Sequence, residues 1–138
     1  MLADTATKGD SIMTRTLLRP VMLFDAATCI AMGALLVVAA VPIAGLTDLP
    51  VRLLREAGLV LFPFALLVLW AGRQSGGWPV TLVAGLNLAW VAASFGALAW
   101  TQPNALGIAF VVAQALAVGG IAALQIYALD GADARVGA

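Results

Sequence analysis

The chain has 138 residues, 63% of them apolar and 10% charged, with a mean hydropathy of +1.05. A soluble domain is about 45–50% apolar and about 25% charged. The composition therefore excludes a soluble globular fold, and disorder requires the opposite bias. Seven basic and seven acidic residues cancel, which leaves no basic surface for nucleic acid.

With no histidine and a single cysteine, Cys29, the chain lacks the ligand sets of zinc, copper, haem and iron–sulfur centres. It also lacks the base of Ser/His and Cys/His nucleophilic catalysis. No metal, no cofactor and a non-enzymatic role are the expectations.

Residues 1–16 are polar and read as a cytoplasmic tail. A four-helix transmembrane domain is expected over 17–130, followed by a second cytoplasmic tail over 131–138. Its first helix runs roughly from Pro20 to Ala44. Within it lies Asp25, the one acid inside a span and about 8 Å past Pro20. An intramembrane acid is a candidate proton or cation site, although Arg19 or a basic residue of the tail also lies within reach.

The loop Leu46-Thr47-Asp48-Leu49-Pro50 leads into a second helix, Leu53 to Ala71, with Thr47 or Asp48 as its expected cap. Arg52 and Arg55 anchor its start at the membrane surface, and Arg52 stands four residues before Glu56, the spacing of a helical ion pair. Pro63 should kink it.

No charge falls between Gln74 and Leu129, a stretch too long for one span of about 20 residues. It divides at Thr101-Gln102-Pro103-Asn104 into a third helix, Trp78 to Trp100, and a fourth, Ala105 to Leu129. Strands of a barrel would alternate polar and apolar residues, and runs such as Ala34-Leu35-Leu36-Val37-Val38 do not. Trp70, Trp78 and Trp100 fall at helix ends, where aromatic rings favour the headgroup level; mid-span Trp90 should face protein.

Five of the seven basic residues, Lys8, Arg15, Arg19, Arg73 and Arg135, lie on one side of this arrangement, against Arg52 and Arg55 on the other. The bias places both termini in the cytoplasm, with the helices antiparallel, up and down.

Depth comparison at 1.5 Å per residue brings the polar residues of the spans into two layers, Asp25/Thr28/Asn87 and Ser94/Gln114. They read either as interhelical hydrogen bonds or as the lining of a polar cavity. Gln125 is also polar within a span. Ridges of small residues, Gly85, Ala89 and Ala93 in the third helix and Gly119 in the fourth, are expected to pack helix against helix. Cys29 is expected to pack as a small apolar residue.

The stretches Asp25-x-x-Thr28, Met32-Gly33, Ala57-Gly58-Leu59, Pro63-Phe64-Ala65, Asn87-x-x-Trp90 and Gln114-Ala115 resemble those of small uncharacterised four-helix integral membrane proteins of proteobacteria. The resemblance runs roughly from Pro20 to Leu129. It implies a multi-pass protein of the bacterial inner (cytoplasmic) membrane and carries no activity with it.

Three roles fit these residues: an accessory or packing subunit of a membrane assembly, a small proton-coupled transporter or channel using Asp25, and a pigment- or quinone-contacting subunit. The expected partners are the lipid bilayer and other membrane subunits or a second copy of the chain.

Overall fold

A computed structural model describes the backbone of residues 2–74 and 77–133 and the side chains of 17–74 and 77–131. Among the described residues the chain is entirely helical: α1 Leu2–Val38, α2 Ala40–Thr47, α3 Val51–Arg73, α4 Trp78–Thr101 and α5 Ala105–Asp133. Four segments are long and apolar enough to cross a membrane, Leu17–Val38, Val51–Arg73, Trp78–Thr101 and Ala105–Gly131. Backbone groups in hydrocarbon must be bonded within the chain, and continuous helices meet that demand. The chain is a multi-pass membrane protein.

The first helix departs from expectation at both ends. It begins at Leu2 and continues through the segment read as a tail. Ala, Met, Leu, Arg and Lys in this segment propagate a helix at little cost once the apolar span has nucleated it. At the other end it bends at Ala39 and resumes as α2. Pro42 explains the bend, because it has no N–H for the Val38 carbonyl and its ring crowds that oxygen. The ladder survives on either side, with Ala39 N–H donating to Leu35 O at 2.8 Å and Ile43 N–H to Ala39 O at 3.0 Å.

By contrast, α3 runs unbroken through Pro63. The expected second tail begins at Gly131, but α5 continues to Asp133. Residues 134–138 lie outside the described residues.

The two loops at the Pro50 end are tied together. Asn104 caps α5 by accepting the Gly107 N–H on Oδ1 at 2.9 Å. Its Nδ2 donates to Leu46 O at 2.9 Å, and its backbone N–H donates to Thr47 O at 3.3 Å. Gly107 sits against Thr47 O, where a side chain would not fit. Neither Thr47 nor Asp48 caps α3, whose N-cap is Pro50. Instead Thr47 Oγ1 donates to Ile43 O at 2.7 Å, and Asp48 closes α2 in a left-handed conformation, φ 56°.

α1 packs along α3 and also meets α5; α4 packs along α5; α3 and α4 meet only over a short stretch. The α1–α3 approach depends on two glycines. A Cβ on Gly58 would lie 2.8 Å from Gly33 O, and one on Gly33 would lie 2.9 Å from Gly58 O.

The ridge expected to pack does not do so. Gly85, Ala89 and Ala93 are exposed, and a Cβ on Gly85 would meet nothing within 4 Å. Gly119 is half-buried, and a Cβ on it would lie 3.8 Å from Val91 Cγ2. In a chain rich in alanine, small residues at helical spacing recur on faces that pack and on faces that do not.

Two buried clusters hold the bundle. Met22 and Ala26, Val68 and Ala71, Val80 and Val83, and Leu129 join all four spans at the Arg73 end. Leu36, Leu54, Leu61 and Val111 belong to the second, toward the Pro50 end, to which α4 adds only half-buried Trp90 and Leu98. α3 and α4 are therefore joined at one end and parted toward the other.

Candidate functional site

Asp25 is buried, 2% exposed, and is the only charged residue buried among those described. Three elements meet on it. Asn87 of α4 donates from Nδ2 to Asp25 Oδ2 at 3.0 Å, and Gln125 of α5 donates from Nε2 to the same oxygen at 2.6 Å. Asn87 Nδ2 also donates to Gln125 Oε1 at 3.1 Å, and Gln125 Nε2 makes a long contact to Met22 Sδ at 3.5 Å. Cys29, one helical turn on, turns its thiol to Asp25 Oδ1 at 3.6 Å.

Asn87 and Gln125 are as buried as the acid they serve, at 3% and 0% exposed. Arg19 is exposed, and among the described residues the one ion pair is Arg52–Glu56 at the surface, 2.7 Å. Among the described residues, the carboxyl group is thus held by amides, with no cation beside it.

Thr28 is drawn away from this cluster, because its Oγ1 donates to the Asp25 carbonyl at 2.8 Å rather than to the carboxylate. Ser94 and Gln114 form a second group with Trp90. Trp90 Nε1 donates to Gln114 Oε1 at 2.9 Å, Gln114 Nε2 to Ser94 Oγ at 2.8 Å, and Ser94 Oγ to Trp90 O at 2.8 Å. An interhelical hydrogen bond in a membrane contributes about 0.6 kcal/mol on average, at most about 1.7. Gln114→Leu removes two of them, so a loss of about 1 kcal/mol is expected. Thermal unfolding in detergent measures it, and a red shift of the Trp90 emission should accompany any opening of this contact to water.

The two polar groups line one apolar space. A cavity of about 930 Å³ lies between Met32 of α1, Val60 and Phe64 of α3, Trp90 and Ala93 of α4, and Gln114 and Val118 of α5, with Asp25, Thr28 and Asn87 also on its wall. A smaller one of about 280 Å³ shares Met32, Val60, Trp90, Ala93 and Gln114 with it and continues toward Leu49 and Glu56. Together they form a cleft along the face where α3 and α4 part. Exposed Ala89 and Ala93, expected at a helix contact, are part of its wall.

Trp70, Trp78 and Trp100 are exposed at helix ends, and Trp70 and Trp78 meet edge to face with ring centroids 5.6 Å apart. Arg52 and Arg55 are exposed in the first turns of α3.

Gln125 and Cys29 are members of the cluster that neither polar layer of the sequence includes. For Gln125 the signal was depth. It lies about 12 Å from the end of α5 and Asn87 about 13 Å from the start of α4. No group of three or more His, Cys, Asp or Glu residues able to hold a metal occurs among the described residues. Comparison with family models, curated proteins and solved structures finds no match for the chain.

Proposed function

We propose that this protein binds a lipophilic small molecule that enters the α3–α4 cleft from the bilayer and turns its polar end toward Asp25 and Asn87. The observation that carries the reading is an apolar cleft of about 930 Å³ with a buried carboxyl group on its wall. Small-molecule sites are of about this size, largely apolar, with a few placed polar groups. The role is binding rather than catalysis. Carriage of the molecule across the membrane, with Asp25 as the coupling group, and contact with a quinone or pigment are forms of the same reading.

The topology proposed with it is antiparallel, with both termini in the cytoplasm of a bacterial inner membrane, as the Lys and Arg bias implies.

Trp90 reports on the cleft directly, since it lines both cavities. In a protein whose other three tryptophans are phenylalanine, a brominated single-chain amphiphile should quench Trp90 saturably in nanodiscs. Ala93→Trp, which fills the cleft, cannot be read with that label, so Ala93→Leu serves as the block. Quenching that rises linearly and is the same in both proteins would contradict the reading.

A second reading, an accessory subunit of a membrane assembly or of a homo-oligomer, is favoured by the uncovered small face Gly85, Ala89 and Ala93 of α4. Recovery in mild detergent at a fixed stoichiometry with another membrane protein supports it. Leucine at Gly85 should then abolish that association.

A further inference from the structure

The hydrogen-bond inventory of the Asp25 cluster defines what the cleft accepts. Both N–H bonds of Asn87 Nδ2 are spent, on Asp25 Oδ2 and Gln125 Oε1. Both of Gln125 Nε2 are spent, on Asp25 Oδ2 and Met22 Sδ. The Cys29 thiol is turned to Asp25 Oδ1, and the Thr28 hydroxyl donates to a backbone carbonyl. No donor of the cluster remains for a ligand.

Acceptors do remain. Asn87 Oδ1 takes no hydrogen bond from a described residue, although Asn87 is 3% exposed and lines the cavity. Among the described residues no fully enclosed side-chain oxygen or nitrogen lacks a partner, so this oxygen keeps its access through the cavity wall. Asp25 Oδ1, satisfied only by a thiol at 3.6 Å, has capacity for a stronger donor. Among the described amides that line the cleft, the N–H left over belongs to Gln114, further along beside Trp90.

We propose that the ligand is a cationic amphiphile whose head carries N–H donors, a protonated primary or secondary amine on an apolar body. Three features point the same way. The carboxyl group has no basic partner among the described residues, so a cation complements it. The open sites beside Asp25 accept and do not donate, so a head with N–H bonds placed there satisfies them and a carboxylate or phosphate head does not; the free N–H of Gln114 lies further along the cleft. The rest of the cleft is apolar and reaches the lipid face of α4 through exposed Ala89 and Ala93, which matches a single hydrocarbon chain. A quaternary ammonium brings the charge without the N–H bonds, and an alcohol brings a donor without the charge. Both should bind more weakly.

The inference rests on the binding reading, and a chain-matched series separates the two. Native mass spectrometry of the full-length protein measures occupancy by dodecylamine, dodecyltrimethylammonium, dodecanol and dodecanoate, with Ala93→Trp as the blocked control. Dodecylamine is expected to bind about tenfold or more tighter than each of the others, as charge-assisted hydrogen bonds outrank either feature alone. Asp25→Asn should remove that preference while leaving the dodecanol affinity in place. Equal binding of all four, or tightest binding of dodecanoate, overturns the amine assignment and leaves the cleft as a site. Binding no better than in the Ala93→Trp protein overturns the binding reading itself. The wild-type ranking stands as a test even where Asp25→Asn folds poorly.

Discussion

Gly58→Leu is expected to lower the thermal stability of the detergent-solubilised protein far more than a change at Gly85 or Gly96. A Cβ at this position would lie 2.8 Å from Gly33 O, 2.9 Å from Leu36 Cβ and 2.9 Å from Val37 Cγ2. The first of these neighbours is backbone and cannot rotate aside, so α3 must move off α1. Overpacking of this kind costs about 1–3 kcal/mol, and a leucine lies at the upper end. Gly85→Ala and Gly96→Ala are the matched controls, since a Cβ at either meets nothing within 4 Å. Both should be neutral or stabilising by up to about 1 kcal/mol, the helix propensity difference between glycine and alanine. Equal losses at Gly58 and Gly85 would show that the close α1–α3 approach is not what holds the bundle.

The second large effect is at Asn87. Asn87→Leu removes two donors at once, leaving Asp25 Oδ2 to Gln125 alone and Gln125 Oε1 without its Asn87 partner. An abandoned buried polar group costs about 1–3 kcal/mol, and more where the group is charged. The loss should exceed that of Gln114→Leu, whose partners Trp90 and Ser94 are neutral. Adding Asp25→Leu to Asn87→Leu should then restore part of the stability, because the stranded acid is gone. In a double-mutant cycle on thermal unfolding, the pair is expected to be less destabilising than the sum of the single changes. Simple additivity would mean that Asn87 and Asp25 do not support one another.

The four spans were legible because charge is so sparse: the uncharged run from Gln74 to Leu129 and the cluster Thr101 to Asn104 within it leave room for one parse. Asp25 stood out for the same reason, and depth counting placed Asn87 at its level and Ser94 at that of Gln114. Other features depend on which faces pack, and spacing alone does not carry that. The regular ridge Gly85, Ala89, Ala93 is open, whereas the isolated glycines Gly33 and Gly58 make the tight contact. By drawing α3 onto α1, that contact leaves α3 and α4 apart, and the cleft follows from it. Pro42 bends the first span, an effect hidden in sequence because Pro63 has the same chemistry and leaves α3 unbroken.

Disulfide trapping in lipid bilayers tests the parted α3–α4 geometry most directly. In a Cys29→Ala background, one cysteine pair replaces Ala71 and Val80, which share the buried cluster at the closed end. A second replaces Val60 of α3 and Ala93 of α4, which both line the cleft. Oxidation is expected to join the first pair readily and the second little, with the amphiphilic ligand slowing the second further. Rapid cross-linking of Val60→Cys to Ala93→Cys, at the rate of the closed-end pair, would mean that α3 and α4 meet along their length and that no cleft exists for Asp25 to serve.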